Sequence, residues 1–141
     1  LGKVQTNKVK YLIPLFDYIH SLDNIRLAEK ISKEEIKNKK KLKIFIQVNL
    51  GEEENKNGIS IKELSNLYEN SVNKLDLNII GLMCLPPKDG SASDYFNELK
   101  KLNIKLNLEE LSMGMSQDYL QAANIGATYL RIGSSIFGDR N

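Results

Sequence analysis

Two segments near the end of the chain, rich in glycine and serine, have the residue types that bind a phosphate group. Residues 111–116 read Leu-Ser-Met-Gly-Met-Ser, and residues 131–138 read Arg-Ile-Gly-Ser-Ser-Ile-Phe-Gly. Each is predicted to be a strand that leads directly into small residues, whose amides and hydroxyl groups donate well to a dianion. A helical pattern over 117–125 stops at Gly126, and a helix N-terminus favours negative charge. We therefore predict one phosphate site formed by two successive strand ends.

Six residues are candidates for contacting this phosphate through an amide or a hydroxyl group: Ser112, Gly114, Met115, Ser116, Gly133 and Ser134. The alternative is that Gly114 and Gly133 serve only tight strand-to-helix turns. The two motifs lie on consecutive strands, and the loops after the last two strands of a parallel α/β barrel often bind phosphate. This coincidence favours the phosphate site.

Arg131 is the most informative single residue of these segments. It lies between Leu130 and Ile132 in an apolar strand pattern, where an unpaired charge is costly. A guanidinium only donates hydrogen bonds and does not lose its proton. Arg131 is thus expected either to hold an acceptor atom of a ligand or to pair with a carboxylate such as Glu109 or Glu110.

Polar residues near other strand ends are weaker candidates. His20 is the only histidine, and a lone histidine is more often a structural residue than an acid or a base. Gln47 and Asn49 lie on one face of an apolar strand, where they either line a barrel mouth or hydrogen-bond inside it. Asn7 and Gln5 allow the same two interpretations.

Composition excludes several classes of protein. The 141 residues are 41% hydrophobic and 27% charged, which is typical of a globular domain. A net charge of +2 is too small to indicate a nucleic-acid-binding protein, and no apolar run is long enough to cross a membrane. With Cys84 as the only cysteine, we expect no disulfide, no zinc site and a reducing, cytoplasmic location. Because the sequence starts at Leu1 without a methionine, we also expect a fragment.

Five apolar runs alternate with helical patterns along the chain. The runs cover residues 18–22, 42–50, 77–85, 106–113 and 127–132. Near-continuous runs rich in β-branched residues fit strands that are buried on both faces. This order predicts the α/β class, as an incomplete (β/α)8 TIM-type barrel containing its last five to six βα units. Residues 1–7 are expected to be part of an earlier strand.

Four serines mark the expected helix starts. Ser60 opens a capping box with Glu63, and Ser32 opens a second box for a short helix that ends in a lysine run. Ser91 starts a third helix, and Ser116 is the expected N-cap of the helix that Gly126 ends.

The motifs resemble, from end to end, those of the pyridoxal phosphate homeostasis protein family, whose members look like the barrel domain of bacterial alanine racemase. Residues 2–8, Gly-Lys-Val-Gln-Thr-Asn-Lys, resemble the third-strand motif, and His-Ser-Leu-Asp at 20–23 resembles the fourth. Residues 47–49 and 54–59 are similar to the fifth, and 81–83 with Pro86 to the sixth. The two glycine-serine segments look like the seventh and eighth. The resemblance implies one domain over residues 1–141, the C-terminal part of a single barrel with its first strands absent.

The resemblance also implies a cofactor and the residues that hold it. It places Arg131 at the pyridine nitrogen of pyridoxal 5′-phosphate (PLP), adds Asn49, His20 and Asn7 to the six phosphate-site candidates as cofactor-binding residues, and implies no metal. A ring nitrogen that accepts from a guanidinium stays unprotonated, which weakens the ring as an electron sink. The lysine that forms the Schiff base in this family lies upstream of Leu1, so no catalytic role is assigned to any residue here.

Two functions follow as expectations from the resemblance. The first is a PLP carrier or buffer in intracellular PLP homeostasis, with no reaction of its own, and PLP-dependent apo-enzymes as the recipients. The alternative is a PLP-dependent amino-acid racemase of the alanine racemase type, which uses a second domain after the barrel. Because the sequence stops soon after Gly138, the carrier is favoured and an enzyme is not expected. We expect the intact protein to be a monomer or a weak dimer.

Overall fold

Five parallel strands form one sheet in a computed structural model that describes residues 2–139. They are β1 (Tyr18–Leu22), β2 (Lys43–Gln47), β3 (Asn78–Met83), β4 (Glu110–Met115) and β5 (Tyr129–Arg131). The strands pair in sequence order, β1-β2-β3-β4-β5. Each of the five apolar runs contains or overlaps one strand. The α/β class and the incomplete TIM-type barrel are therefore confirmed, with five βα units.

Helices alternate with the strands. They are α1 (Val9–Leu12), α2 (Ile25–Asn38), α3 (Ile61–Glu69), α4 (Ala92–Lys105), α5 (Tyr119–Ile125) and α6 (Ser134–Phe137). A 3₁₀ turn (Thr6–Lys8) precedes α1, and a π-helical segment (Asn70–Lys74) extends α3. The helices bury apolar faces against the sheet, and each fully buried side chain such as Leu27 or Phe96 contributes about 2 kcal/mol to stability.

The sheet curls, and its concave side is filled by aromatic rings. Ile44, Phe45 and Ile46 in β2 are all fully buried, so that strand is covered on both faces. The Phe45 ring stacks on His20 at 4.3 Å and meets Tyr129 edge-on at 5.1 Å. Contacts between β1, β2 and β5 across this concave side are those of a barrel rather than of a flat sheet.

The expected strand over residues 1–7 is wrong for the described part of that segment. Residues 2–5 are irregular, and the 3₁₀ turn and α1 follow them; Leu1 lies outside the described residues. A parallel strand exists only through hydrogen bonds to a neighbouring strand. Within residues 2–139, β1 pairs with β2 alone, so the irregular segment makes no such ladder with the free edge of β1.

The helix start expected at Ser32 is also wrong. One helix, α2, runs through this position, and Asn24 caps it by accepting the amide of Leu27 at 2.8 Å. Ser32 is buried and its hydroxyl donates to the carbonyl of Leu75 at 2.9 Å. A serine inside a helix is tolerated when its hydroxyl finds an acceptor in this way.

The other helix signals have mixed outcomes. The capping box at Ser60 is confirmed, because its hydroxyl accepts the Glu63 amide at 3.3 Å and contacts the Glu63 carboxylate at 3.0 Å. α4 follows Ser91 directly, although Ser91 makes no capping hydrogen bond. The N-cap expected at Ser116 is wrong, since Asp118 directly precedes α5. Gly126 does end that helix, with φ at 123°.

Candidate functional site

A cavity of about 600 Å³ opens where the strands end. Four residues on its wall are the last of their strands: Gln47 in β2, Met83 in β3, Met115 in β4 and Arg131 in β5. This is the rim at which parallel α/β barrels bind their ligands, and the volume is within the range of small-molecule sites. The irregular N-terminal segment and α1 cover one side of the cavity, through Gly2, Lys3, Val4, Gln5, Lys8 and Leu12.

Arg131 lies at this wall with only 6% of its surface exposed, and hydrogen bonds fix its position. Its Nη1 donates to the Ser112 hydroxyl at 2.7 Å and to the Ser112 carbonyl at 3.2 Å. Its Nη2 donates to the carbonyl of Cys84 at 2.8 Å. Burial lowers the pKa of Arg131, but a guanidinium still keeps its proton at neutral pH.

The carboxylate partner considered for Arg131 is not found. Its hydrogen bonds within residues 2–139 go to neutral oxygens, and the ion pairs of this part of the chain do not include it. Pairing with Glu109 or Glu110 is therefore wrong. Glu110 begins β4 and Arg131 ends β5, so the two lie toward opposite ends of these parallel strands. A buried positive charge whose hydrogen bonds go to neutral oxygens makes the cavity wall attractive to electron-rich ligand atoms.

His20 is connected to the same group. Its Nδ1 lies 2.8 Å from the Ser112 hydroxyl oxygen, and its ring stacks on Phe45. Burial, with a smaller contribution from the charge of Arg131, lowers the pKa of His20 to about 4. The imidazole is therefore neutral at pH 7.

The two glycine-serine turns meet at one oxygen atom. The Ser116 hydroxyl accepts the amide of Gly133 at 3.2 Å and the amide of Ser135 at 3.2 Å. A Cβ atom built on Gly133 would meet nothing within 4 Å, so there is open space beside this turn. Ser134 is exposed at the start of α6. Two amides that already converge on one oxygen are the kind of donors that an anion requires.

The first turn is tighter than its sequence indicates. Gly114 has φ at 98°, and a Cβ atom there would lie 2.6 Å from the Cβ of Ala122, so the turn requires glycine at this position. The Met115 amide, expected to be free, donates to the Asp118 carboxylate at 2.7 Å. Sequence reasoning missed Asp118; its signal was an acidic residue immediately before the α5 helix.

Of the phosphate-site candidates only Met115 lines the cavity, and the two remaining cofactor-binding candidates lie elsewhere. The Asn49 side chain donates to the carbonyl of Glu53 at 3.0 Å, and Asn7 is exposed in the 3₁₀ turn; neither lines the cavity. Gln47 does line it, as do Lys3 and Lys8. No sequence pattern indicated the two lysines, because their positions depend on how an irregular segment folds over the strand ends.

The described residues contain neither a metal-binding cluster nor a membrane-spanning helix. Within residues 2–139, no group of three His, Cys, Asp or Glu side chains is placed to hold a metal ion. No helix in this part of the chain has both the length and the apolar character needed to cross a bilayer.

Comparison with known proteins gives matches over the whole chain. The family model "Alanine racemase, N-terminal domain" matches residues 1–141. The "Pyridoxal phosphate homeostasis protein" of Aquifex aeolicus is 40% identical over 99% of this chain and 65% of that protein. The protein of the same name from Synechocystis is 39% identical, over 99% and 68%. The chain thus spans about two thirds of the length of these curated relatives.

Solved structures agree with the sequence matches. PipY of Synechococcus elongatus, solved with PLP bound, is 31% identical with a TM-score of 0.89, and the match covers 98% of this chain and 68% of PipY.

Proposed function

The chain belongs to the family of the alanine racemase N-terminal domain, and from this premise we propose that the intact protein binds PLP at the strand ends. Its role is that of a carrier or buffer in PLP homeostasis, in the cytoplasm, with PLP-dependent apo-enzymes as recipients. Residues 1–141 are the C-terminal part of a single barrel domain. The names of the similar proteins and the PLP bound to PipY support this proposal.

The single observation that carries the proposal is the setting of Arg131. Its guanidinium is buried at the cavity wall, charged, and held by neutral acceptors. Ser112 and Cys84 fix its position in advance, so little is lost in ordering it when a ligand binds. A guanidinium in this position suits the lone pair of a pyridine nitrogen, because it can only donate.

The second turn suits the phosphate group. The amides of Gly133 and Ser135 point at one oxygen, and the exposed hydroxyl of Ser134 lies between them in the chain. A phosphate oxygen can take the hydrogen bonds that the Ser116 hydroxyl now accepts, with charge assistance. Gly133 follows Arg131 by two residues, and the proposed arrangement has the phosphate at this turn and the ring nitrogen against Arg131.

PLP supplies a reactive aldehyde and an electron-withdrawing ring when it is bound. The residues of this chain favour holding it over using it. Arg131 keeps the ring nitrogen unprotonated, which limits the electron-withdrawing power of the ring. His20 is neutral at pH 7, and its Nδ1 is engaged by Ser112, so it is poorly suited to shuttle a proton.

The test is cofactor retention in variants of the intact protein. Arg131→Met removes the charge but keeps the bulk, and we expect it to weaken PLP retention at least tenfold, a loss comparable to one charge-assisted hydrogen bond. Ser134→Ala should weaken retention by a smaller factor. Retention is read from cofactor absorbance after gel filtration.

The matched control is Arg26→Met, at an exposed arginine of α2, which should leave retention unchanged. If Arg131→Met and Ser134→Ala both retain PLP like the unmodified protein while their circular dichroism is unchanged, the site is elsewhere.

A further inference from the structure

We propose that His20 is a positioning residue for Arg131, acting through Ser112, and that the same contacts hold His20 as the tautomer protonated at Nε2. The inference rests on the proposed function only for its meaning in cofactor binding. The hydrogen-bond relay itself, His20–Ser112–Arg131, is a property of the folded chain and can be tested without a ligand.

The donors and acceptors that each side chain offers determine the direction of both hydrogen bonds in the relay. The Ser112 side chain is fully buried and has two partners, Arg131 Nη1 at 2.7 Å and His20 Nδ1 at 2.8 Å. Because a guanidinium has no acceptor, the Ser112 oxygen must accept from Arg131. The Ser112 proton is then directed to His20 Nδ1, which must carry a lone pair, and the imidazole proton lies on Nε2.

The opposite tautomer is disfavoured by burial. With a proton on Nδ1, the Ser112 oxygen would accept hydrogen bonds from both His20 and Arg131. The Ser112 O–H group could then donate to neither of these two side chains. A buried hydroxyl without an acceptor costs about as much as the desolvation of that group. The relay therefore selects one tautomer and, at the same time, one orientation of the Ser112 hydroxyl.

The surroundings of His20 also keep it uncharged. Ser112 faces it from β4, Phe45 from β2, Tyr18 from β1, and Tyr129 and Arg131 from β5. Of these only Arg131 is charged at neutral pH, and it repels an imidazolium. Lys43 lies beyond Tyr18, and Lys3 and Lys8 line the same cavity. Carboxylates act on the neighbours of His20, with Asp17 acting on Tyr18, Glu110 on Tyr129 and Asp118 on Arg131, but none of them is among the causes that shift the pKa of His20.

For a ligand, the consequence is that this part of the cavity wall offers hydrogen-bond donors. Arg131 only donates, and His20 Nε2–H makes no hydrogen bond to the described residues. This end of the cavity thus selects a ligand atom with a free lone pair, such as an unprotonated ring nitrogen, over a protonated ring. Without His20 the Ser112 hydroxyl can rotate, and the guanidinium loses part of what orients it.

The first test is nitrogen-15 NMR of the labelled histidine, in solution or in the solid state, in a protein purified without a histidine tag. His20 is the only histidine of this chain; in a longer protein its signals are those lost in His20→Asn. We expect Nε2 protonated and Nδ1 as an acceptor, unchanged from pH 5.5 to pH 8. Ser112→Ala should give a mixture of both tautomers.

The matched control is Ser71→Ala, since Ser71 is also fully buried but its hydroxyl has no hydrogen-bond partner among residues 2–139. This variant should leave the His20 spectrum unchanged. A proton on Nδ1 in the unmodified protein, or an unchanged tautomer in Ser112→Ala, overturns the relay.

The second test separates the relay from the proposed function. In His20→Leu we expect PLP affinity to fall about tenfold, and in His20→Asn, whose amide oxygen can take the place of Nδ1, we expect most of it to return. If the predicted tautomer is found but PLP does not bind, the relay stands and the proposed function fails. If PLP binding is lost in Arg131→Met but not in His20→Leu, the positioning role fails and the proposed function stands.

Discussion

His20 makes the stability of the fold depend on pH, because its pKa is near 4 in the folded protein and near 6.5 in an unfolded chain. Between these values the unfolded state binds a proton that the folded state does not bind. Stability therefore falls as the pH is lowered from about 6.5 towards 4. We expect this contribution to be at most about 2 kcal/mol, after discounting for solvent access to the half-buried ring.

The measurement is urea unfolding at pH 4.5 and pH 7.5, compared between the unmodified protein and His20→Asn. The comparison is needed because Glu35 acts in the opposite sense. Burial raises the pKa of this carboxyl group above 4.5, so its contribution to stability is lost as the pH rises. The same pH dependence in both proteins would show that His20 titrates normally.

Asn24 fixes where the longest helix of the N-terminal half begins. Its side chain satisfies the amide of Leu27, one of the free donors at the start of α2. Asn24→Ala should reduce the free energy of unfolding by about 1 kcal/mol. Ser91→Ala is the matched control at the start of α4, where no capping hydrogen bond is made, and it should cost clearly less. Equal losses in chemical denaturation would contradict the assignment of the cap.

Gly81 sets how closely β3 and β4 can approach. A Cβ atom there would lie 2.0 Å from the carbonyl oxygen of Glu110 and 2.9 Å from the Phe45 ring. Because a backbone atom cannot yield as a flexible side chain can, Gly81→Ala should destabilise the fold by about 3 kcal/mol or prevent folding. The control is Gly2→Ala, where a Cβ atom meets nothing within 4 Å. Thermal unfolding checks both, and a Gly81→Ala protein as stable as the control would rule out the close approach.

The strands were predictable because burial on both faces leaves a mark in the sequence. Ile44, Phe45 and Ile46 are apolar in succession because both sides of β2 are covered. Helix starts were less predictable, since Ser32 and Asn24 are both good capping residues. What separates them is the Leu75 carbonyl, 43 positions away, which takes the Ser32 hydroxyl.

The candidate site, too, was predictable from the sequence only in part. Its two turns were recognisable because their glycines and serines are local features of two strand ends. The contact of Asp118 with the Met115 amide and the place of Lys8 on the cavity wall depend on how loops fold back, which spacing does not encode. The partners of Arg131 were missed because two of its three acceptors are backbone carbonyls, and every residue has one.

The molecule as a whole presents two sheet edges. Within residues 2–139, β1 pairs only with β2, and β5 only with β4. Large apolar side chains are exposed near these edges, among them Leu15 at 73%, Phe16 at 52% and Phe137 at 85%. Unpaired edges with apolar neighbours favour pairing with another chain. We therefore expect the 141-residue chain to self-associate at micromolar concentrations.

Analytical ultracentrifugation over a concentration series checks this prediction. Phe137→Lys should weaken the association, whereas Ile36→Lys, at an apolar residue on α2 that is 75% exposed, should leave it unchanged. A chain that stays monomeric throughout the series and unfolds cooperatively would contradict the prediction.

The hydroxyl groups of Tyr18 and Tyr129 provide a way to watch the sheet bend. They belong to the first and last strands, 111 positions apart in the chain, yet their oxygens lie 3.3 Å from each other and their ring centres 5.6 Å. Brief photo-oxidation would couple two phenols this close into dityrosine, which fluoresces blue. The yield of that crosslink is an optical measure of sheet curvature, and it would vanish in any state in which the sheet flattens.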